Sequence, residues 1–74
     1  MAGVNSDNIA DVFSYHAPGG NDLEHYQALR DGARTFAEVI LANCPPCADQ
    51  QAALRKVREA VMTANAGVAL KGRV

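Results

Sequence analysis

The densest chemistry in this 74-residue chain lies in one short stretch near its start. Phe13, Tyr15, His16 and Pro18 fall within six residues. Tyr15 has a face that stacks on a nucleobase and a phenolic hydrogen that bonds to a polar edge. His16 offers one donor and one acceptor when neutral, and a charge when protonated. Two readings of Tyr15 and His16 stand side by side: contact with a planar ligand, or a staple that pins this segment across the rest of the chain. Phe13 reads as a staple.

A second group is spread along the remainder of the chain. On a helical wheel Arg30 lies about 40° from Tyr26, at the margin of an apolar face, and Arg34 about 40° further out. Arg58 and Asn65 lie about 40° and about 20° from Leu54. A guanidinium forks onto phosphate oxygens, so arginines at such a margin suit an anionic ligand. Asparagine is a poor helix former whose amide demands partners when buried. Asn65 therefore reads either as an inter-subunit hydrogen bond at a helical seam or as a contact to a base edge or ribose.

Cys44-Pro45-Pro46-Cys47 is a C-x-x-C pattern. One such pair supplies two of the four ligands that a structural zinc site needs, and His16 and His25 are not at finger-like spacing from it. The βαβ context of a redox motif is absent. The pattern reads as a tight link carrying two thiols, and neither a metal nor a cofactor is expected. No nucleophile–base pair emerges. Gly19-Gly20 is too little for a phosphate-cradling loop. Asp22 and Glu24 sit at a helix start, where the dipole favours acids. These residues describe a binding protein, not an enzyme.

The elements that must position these groups are helical. Residues 1–20 form an arm: Met1 to Asp7 is small, polar and frayed, and Asn8 to Phe13 makes one helical turn. Pro18 biases Ala17 towards extended geometry. Asn21 reads as an N-cap with Glu24 as its capping-box acid. Leu23, Tyr26, Leu29, Ala33, Phe36 and Ile40 then recur at helical spacing, which predicts a first helix over 22–43, about 33 Å long. Pro45 and Pro46 end it, and Pro46 suits an early position in the next helix. Leu54, Val57, Val61, Ala64 and Val68 predict a second helix over 47–70, with Gly67 a weak point and Lys71-Gly72 a stop. The fold class is all-α: an antiparallel helical hairpin over 21–74, a single domain behind a short N-terminal arm.

Composition adds assembly. The chain is 49% hydrophobic but 5% aromatic, with fourteen alanines. A chain of this size buries only about 60% of its unfolded surface. Leu23, Ala37 and Leu41, with Ala28 and Val39 further round, lie beside the stripe of the first helix, and Ala53, Ala60, Met62 and Ala69 beside that of the second, where a hairpin cannot cover them. A homo-oligomer of close-packed helices is expected. Seven Lys+Arg against eight Asp+Glu give a net charge of -1. That balance argues against a nucleic acid polymer as partner, yet allows a small anion held by a few placed cations. No segment has the length of an apolar membrane span, and no basic segment followed by an apolar run opens the chain. A cytosolic protein with reduced thiols is expected.

The run Phe13-x-Tyr15-His16-x-Pro18, then Tyr26-x-x-x-Arg30, Cys44-Pro45 and Ala60-Val61-Met62-x-Ala64-Asn65-Ala66, resembles the small phage helical-hairpin sponge domain shared by anti-CBASS and Thoeris anti-defence proteins. The resemblance covers about residues 12–70. It implies a non-enzymatic sponge that sequesters cyclic oligonucleotide second messengers in the host bacterial cytoplasm and so blocks CBASS-type antiphage immunity. It implies a homohexamer of helical hairpins with separate pockets for cyclic dinucleotides and cyclic trinucleotides. By that likeness Tyr15 stacks on a base, Arg30 holds phosphate, and Asn65 belongs with the other pocket. His16, Pro18, Arg34 and Arg58 complete the candidate ligand-binding set. Ala66 stands where some relatives carry arginine, and Arg30 where some carry lysine. The competing reading is a helical-hairpin oligomerisation module of a phage with no nucleotide ligand.

Overall fold

A computed structural model of the chain describes residues 3–73. Among these residues there are three helices: α1, Ile9–Val12; α2, Asp22–Asn43; and α3, Ala48–Ala69. α2 and α3 are 22 residues each and pack along their lengths. The start of α2 meets the end of α3, where Lys71 reaches Asp22, so the two run antiparallel. The expected hairpin is present, and both long helices lie within one residue of the predicted bounds.

The short α1 is held by two asparagines. The Asn5 Oδ1 accepts from the Asp7 and Asn8 backbone amides at 2.8 and 3.1 Å, and the Asn8 Oδ1 accepts from the Asn5 amide at 2.8 Å. This is a reciprocal capping box one turn ahead of the helix. Asn5 to Asp7 is thus an ordered cap rather than the frayed segment expected, because two side chains satisfy its free amides. The same expectation for Met1 and Ala2 lies outside the described residues.

Two other local expectations are corrected. Asn21 makes no capping bond; instead the Asp22 carboxylate accepts the Gly19 amide at 3.2 Å and closes the Gly19–Gly20 turn, Gly20 lying at φ 53°. Pro46 stands ahead of the second helix rather than in its first turn. Cys47 is fully extended (φ −170°, ψ 174°) and takes the N-cap position, its sulfur accepting from the Gln50 amide. α3 ends with the Gly72 amide bonded to the Gly67 carbonyl and the Lys71 amide to that of Val68, a Schellman closure. Lys71 occupies the left-handed position at φ 57°, where glycine is usual.

The seam is made of half-buried residues. Leu54, Val57, Val61, Ala64 and Val68 on α3 face Tyr26, Leu29, Ala33, Ala37 and Ile40 on α2. Phe36, expected in that stripe, stands 57% exposed. Ala37 takes the inward place because its small side chain lets the helices approach closely. Phe13, expected as a staple, is 80% exposed. Polar contacts of Asp11 pin the arm instead.

A single chain has little interior. Leu70 is the one well-buried apolar residue among those described. The chain exposes 5646 Å², against about 4,400 Å² for a compact monomer of 7.8 kDa. Its radius of gyration is 15.2 Å, against about 11 Å for a compact domain of this length. Among the described residues no helix is long and apolar enough to cross a membrane.

Candidate functional site

Two grooves run along the α2–α3 seam, one on each side. Their chemistry differs. The larger, about 620 Å³, is apolar, with Gly32, Phe36 and Ala60 in its walls and Lys56 its one charged residue among those described. The smaller, about 540 Å³, is rimmed by Arg30, Arg34 and Arg58 over Ala33, Ala37, Leu54, Val57, Val61 and Met62.

Helix geometry assembles that rim. Arg30 and Arg34 are four residues apart on α2, so they lie one above the other on the same edge. Arg58 sits four residues after Leu54 on α3 and meets them from across the seam. The alanines and valines beneath are short, which leaves room between the guanidiniums. Among the described residues no carboxylate lines this groove, although acids outnumber cations in the chain as a whole. Arg34 pairs with Glu38 at 3.0 Å, but both side chains are solvent-exposed. Such a pair contributes about 0–1 kcal/mol and yields readily to a better anion. Arg30 and Arg58 make no ion pair with a described residue. Three guanidiniums over an apolar floor form a concentrated positive site that matches phosphate oxygens.

The arm residues stand apart from this groove within one chain. Tyr15 is 87% exposed and lines neither groove. Pro18 is exposed beside it. His16 is half-buried; its Nε2 donates to the Asp11 carbonyl at 2.6 Å and lies 3.7 Å from the Asp11 carboxylate. That carboxylate also accepts two bonds from Arg73, at 2.8 and 3.1 Å. Asp11 thus ties the arm to the segment that follows α3, and His16 is part of that tie. No sequence spacing marks Asp11 and Arg73 as partners, since they stand 62 positions apart in the chain.

Asn65 lies on the seam stripe, and its Oδ1 is buried without a hydrogen-bond partner. An unpaired buried acceptor costs about 1–3 kcal/mol. Among the described residues no cluster of three or more His, Cys, Asp or Glu is placed to hold a metal ion.

Residues 5–69 match the Acb2/Tad1 hairpin domain. The chain belongs to that family. Acb2/Tad1 hairpins are the sponge family of anti-CBASS and anti-Thoeris proteins, so this is an anti-defence hairpin protein. The match begins at Asn5, the capping residue of the arm, and ends at Ala69, the last residue of α3. It therefore takes in the arm, both long helices and the arginine-rimmed groove. No curated protein and no solved structure matches the chain.

Proposed function

We propose that this Acb2/Tad1 hairpin binds and sequesters cyclic oligonucleotide second messengers without catalysis. Held in the host bacterial cytoplasm, the messengers no longer reach their effectors, and CBASS-type immunity stays silent. The observation that carries this reading is the groove rimmed by Arg30, Arg34 and Arg58 with no carboxylate in its described lining. A cyclic dinucleotide brings two phosphodiester charges and two aromatic faces. The guanidiniums answer the charges through charge-assisted hydrogen bonds, each about twice as strong as a neutral one. Tyr15 answers a base face, where stacking contributes about 1–3 kcal/mol.

The working form is a homo-oligomer, a hexamer by family likeness. Support comes from the excess exposed surface of one chain and from the outward set of Phe36, Val39, Leu41 and Met62. In that assembly Tyr15 of one copy meets the groove of another, since the two do not share a cavity within a chain. Asn65 belongs to a separate site that accepts a cyclic trinucleotide.

The test is native mass spectrometry and calorimetric titration of the purified protein with a panel of cyclic di- and trinucleotides. Binding of an intact, unhydrolysed ligand is the expected result. Hydrolysis of the ligand overturns the non-catalytic reading. Absence of binding by any of them moves the protein to the oligomerisation-module reading.

A further inference from the structure

The link between α2 and α3 carries two thiols that the nucleotide reading does not use. Both are held by one residue. Gln50 is 4% exposed; its Nε2 donates to the Cys44 carbonyl at 2.9 Å, and its backbone amide meets the Cys47 sulfur at 3.4 Å. Gln51 donates in turn to the Gln50 Oε1 at 3.2 Å, which fixes the amide's orientation. Pro45 and Pro46 restrict the backbone between the cysteines. The Cys44 thiol donates to the Pro45 carbonyl at 3.6 Å, within the same link. Cys47 is exposed, whereas Cys44 is half-buried.

We propose that Cys44 and Cys47 form a peroxide-reactive dithiol, in which exposed Cys47 is oxidised first and half-buried Cys44 closes an intrachain disulfide across the helix link. The chemistry of the two sulfurs is unequal in the required direction. The Gln50 amide, then the Asp49 amide and the Cys44 thiol, hold the Cys47 thiol below its ordinary range. Burial, then the bond to Cys47 and the nearby charges of Cys47 and Asp49, push Cys44 up. A thiolate at a helix N-terminus is the reactive form.

In the first step the Cys47 thiolate attacks one oxygen of hydrogen peroxide. The O–O bond breaks, the leaving hydroxide takes up a proton and departs as water, and Cys47 becomes a sulfenic acid. In the second step the Cys44 sulfur attacks the sulfenic sulfur. The S–O bond breaks, the hydroxyl leaves with the Cys44 proton as water, and the S–S bond forms. Two thiols lose two electrons and two protons in all, and one peroxide becomes two waters. Oxidation also takes from α3 the sulfur that caps it, so the change is felt at the link, away from the arginine groove.

The experiment treats the reduced full chain with hydrogen peroxide and follows intact mass and peptide maps. The parent is expected to lose about 2 Da and yield a Cys44–Cys47 disulfide that a dithiol reductant reverses. Cys44→Ser should stop at a sulfenic acid on Cys47 that a 1,3-dione probe labels, and Cys47→Ser should leave Cys44 unreacted. Before oxidation, iodoacetamide at neutral pH should label Cys47 at least about fivefold faster than Cys44. Equal labelling of the two in the parent, or disulfides formed only between chains, would overturn the proposal without reference to any variant's folding.

Discussion

Lys71 and Asp22 stand 49 positions apart in the chain, yet the Lys71 ammonium donates to both Asp22 carboxylate oxygens, at 3.1 and 3.2 Å. Asp22 is 7% exposed at the start of α2, and Lys71 sits just past the end of α3 in a left-handed backbone conformation. The pair closes the open end of the hairpin, opposite the Cys44–Cys47 link. It fixes where the arm leaves the helices.

Acid should open this end first. The Lys71 hydrogen bond, followed by the Gly19 amide, holds the Asp22 carboxyl below its ordinary value of 3.8. A carboxyl whose folded value is depressed contributes stability that is fully present above its unfolded value and is lost as pH falls through the folded one. Asp22→Asn should therefore lower the unfolding midpoint at pH 7. Its gap to the parent should close as the pH is lowered below the ordinary carboxylate range. Thermal unfolding by circular dichroism across pH 2 to 7 checks both; a gap independent of pH would refute the pairing.

Backbone strain at Lys71 separates from its charge. Lys71→Ala removes the ion pair and keeps the left-handed backbone, whereas Lys71→Gly removes both the pair and the steric conflict. The glycine variant should be the more stable of the two by about 1 kcal/mol. Urea unfolding at equal protein concentration measures the difference.

Ligand affinity should follow the groove. Arg30→Ala and Arg58→Ala each should weaken a cyclic dinucleotide by at least about tenfold, about 1.4 kcal/mol, and flatten its salt dependence. Tyr15→Ala should cost a similar factor with the salt dependence unchanged, because stacking carries no net charge. None should alter helicity, since Arg30, Arg58 and Tyr15 are all exposed. Calorimetric titration at two ionic strengths reads each effect.

Asn65→Ala should behave differently. Its Oδ1 is buried and unpaired in one chain, and it lies outside the lining of the arginine groove. The variant should bind a cyclic dinucleotide as the parent does and lose affinity for a cyclic trinucleotide. Parallel titrations with the two ligands decide it; an equal loss of both would merge the two sites.

Assembly should depend on the apolar groove. Phe36→Asp places a charge among Ala28, Gly32 and Ala60. The parent should scatter light as a multiple of 7.8 kDa, and the variant as a smaller species. A parent that stays monomeric at micromolar concentration would remove the shared pocket with it.

The amino-acid sequence by itself determined the hairpin. Helical periodicity is a local property, so the stripes around Leu29 and Val57, and the proline stop at Pro45, place both long helices to within a residue. The arginines were legible one helix at a time, because residues on one helix face are related by spacing alone; spacing set Arg58 beside Asn65, and only the fold brings it to Arg30 and Arg34. What the tertiary structure decided is everything that depends on the register between the helices. That register turned Phe36 outward and Ala37 inward, gave Asp22 to Lys71 where the helix dipole alone was expected to account for it, gave Asp11 to Arg73, and left the Asn65 carbonyl without a partner. An ion pair or a buried amide depends on distances across the seam. Those distances are set by how closely small side chains let two helices approach, and no pattern along one strand of sequence carries them.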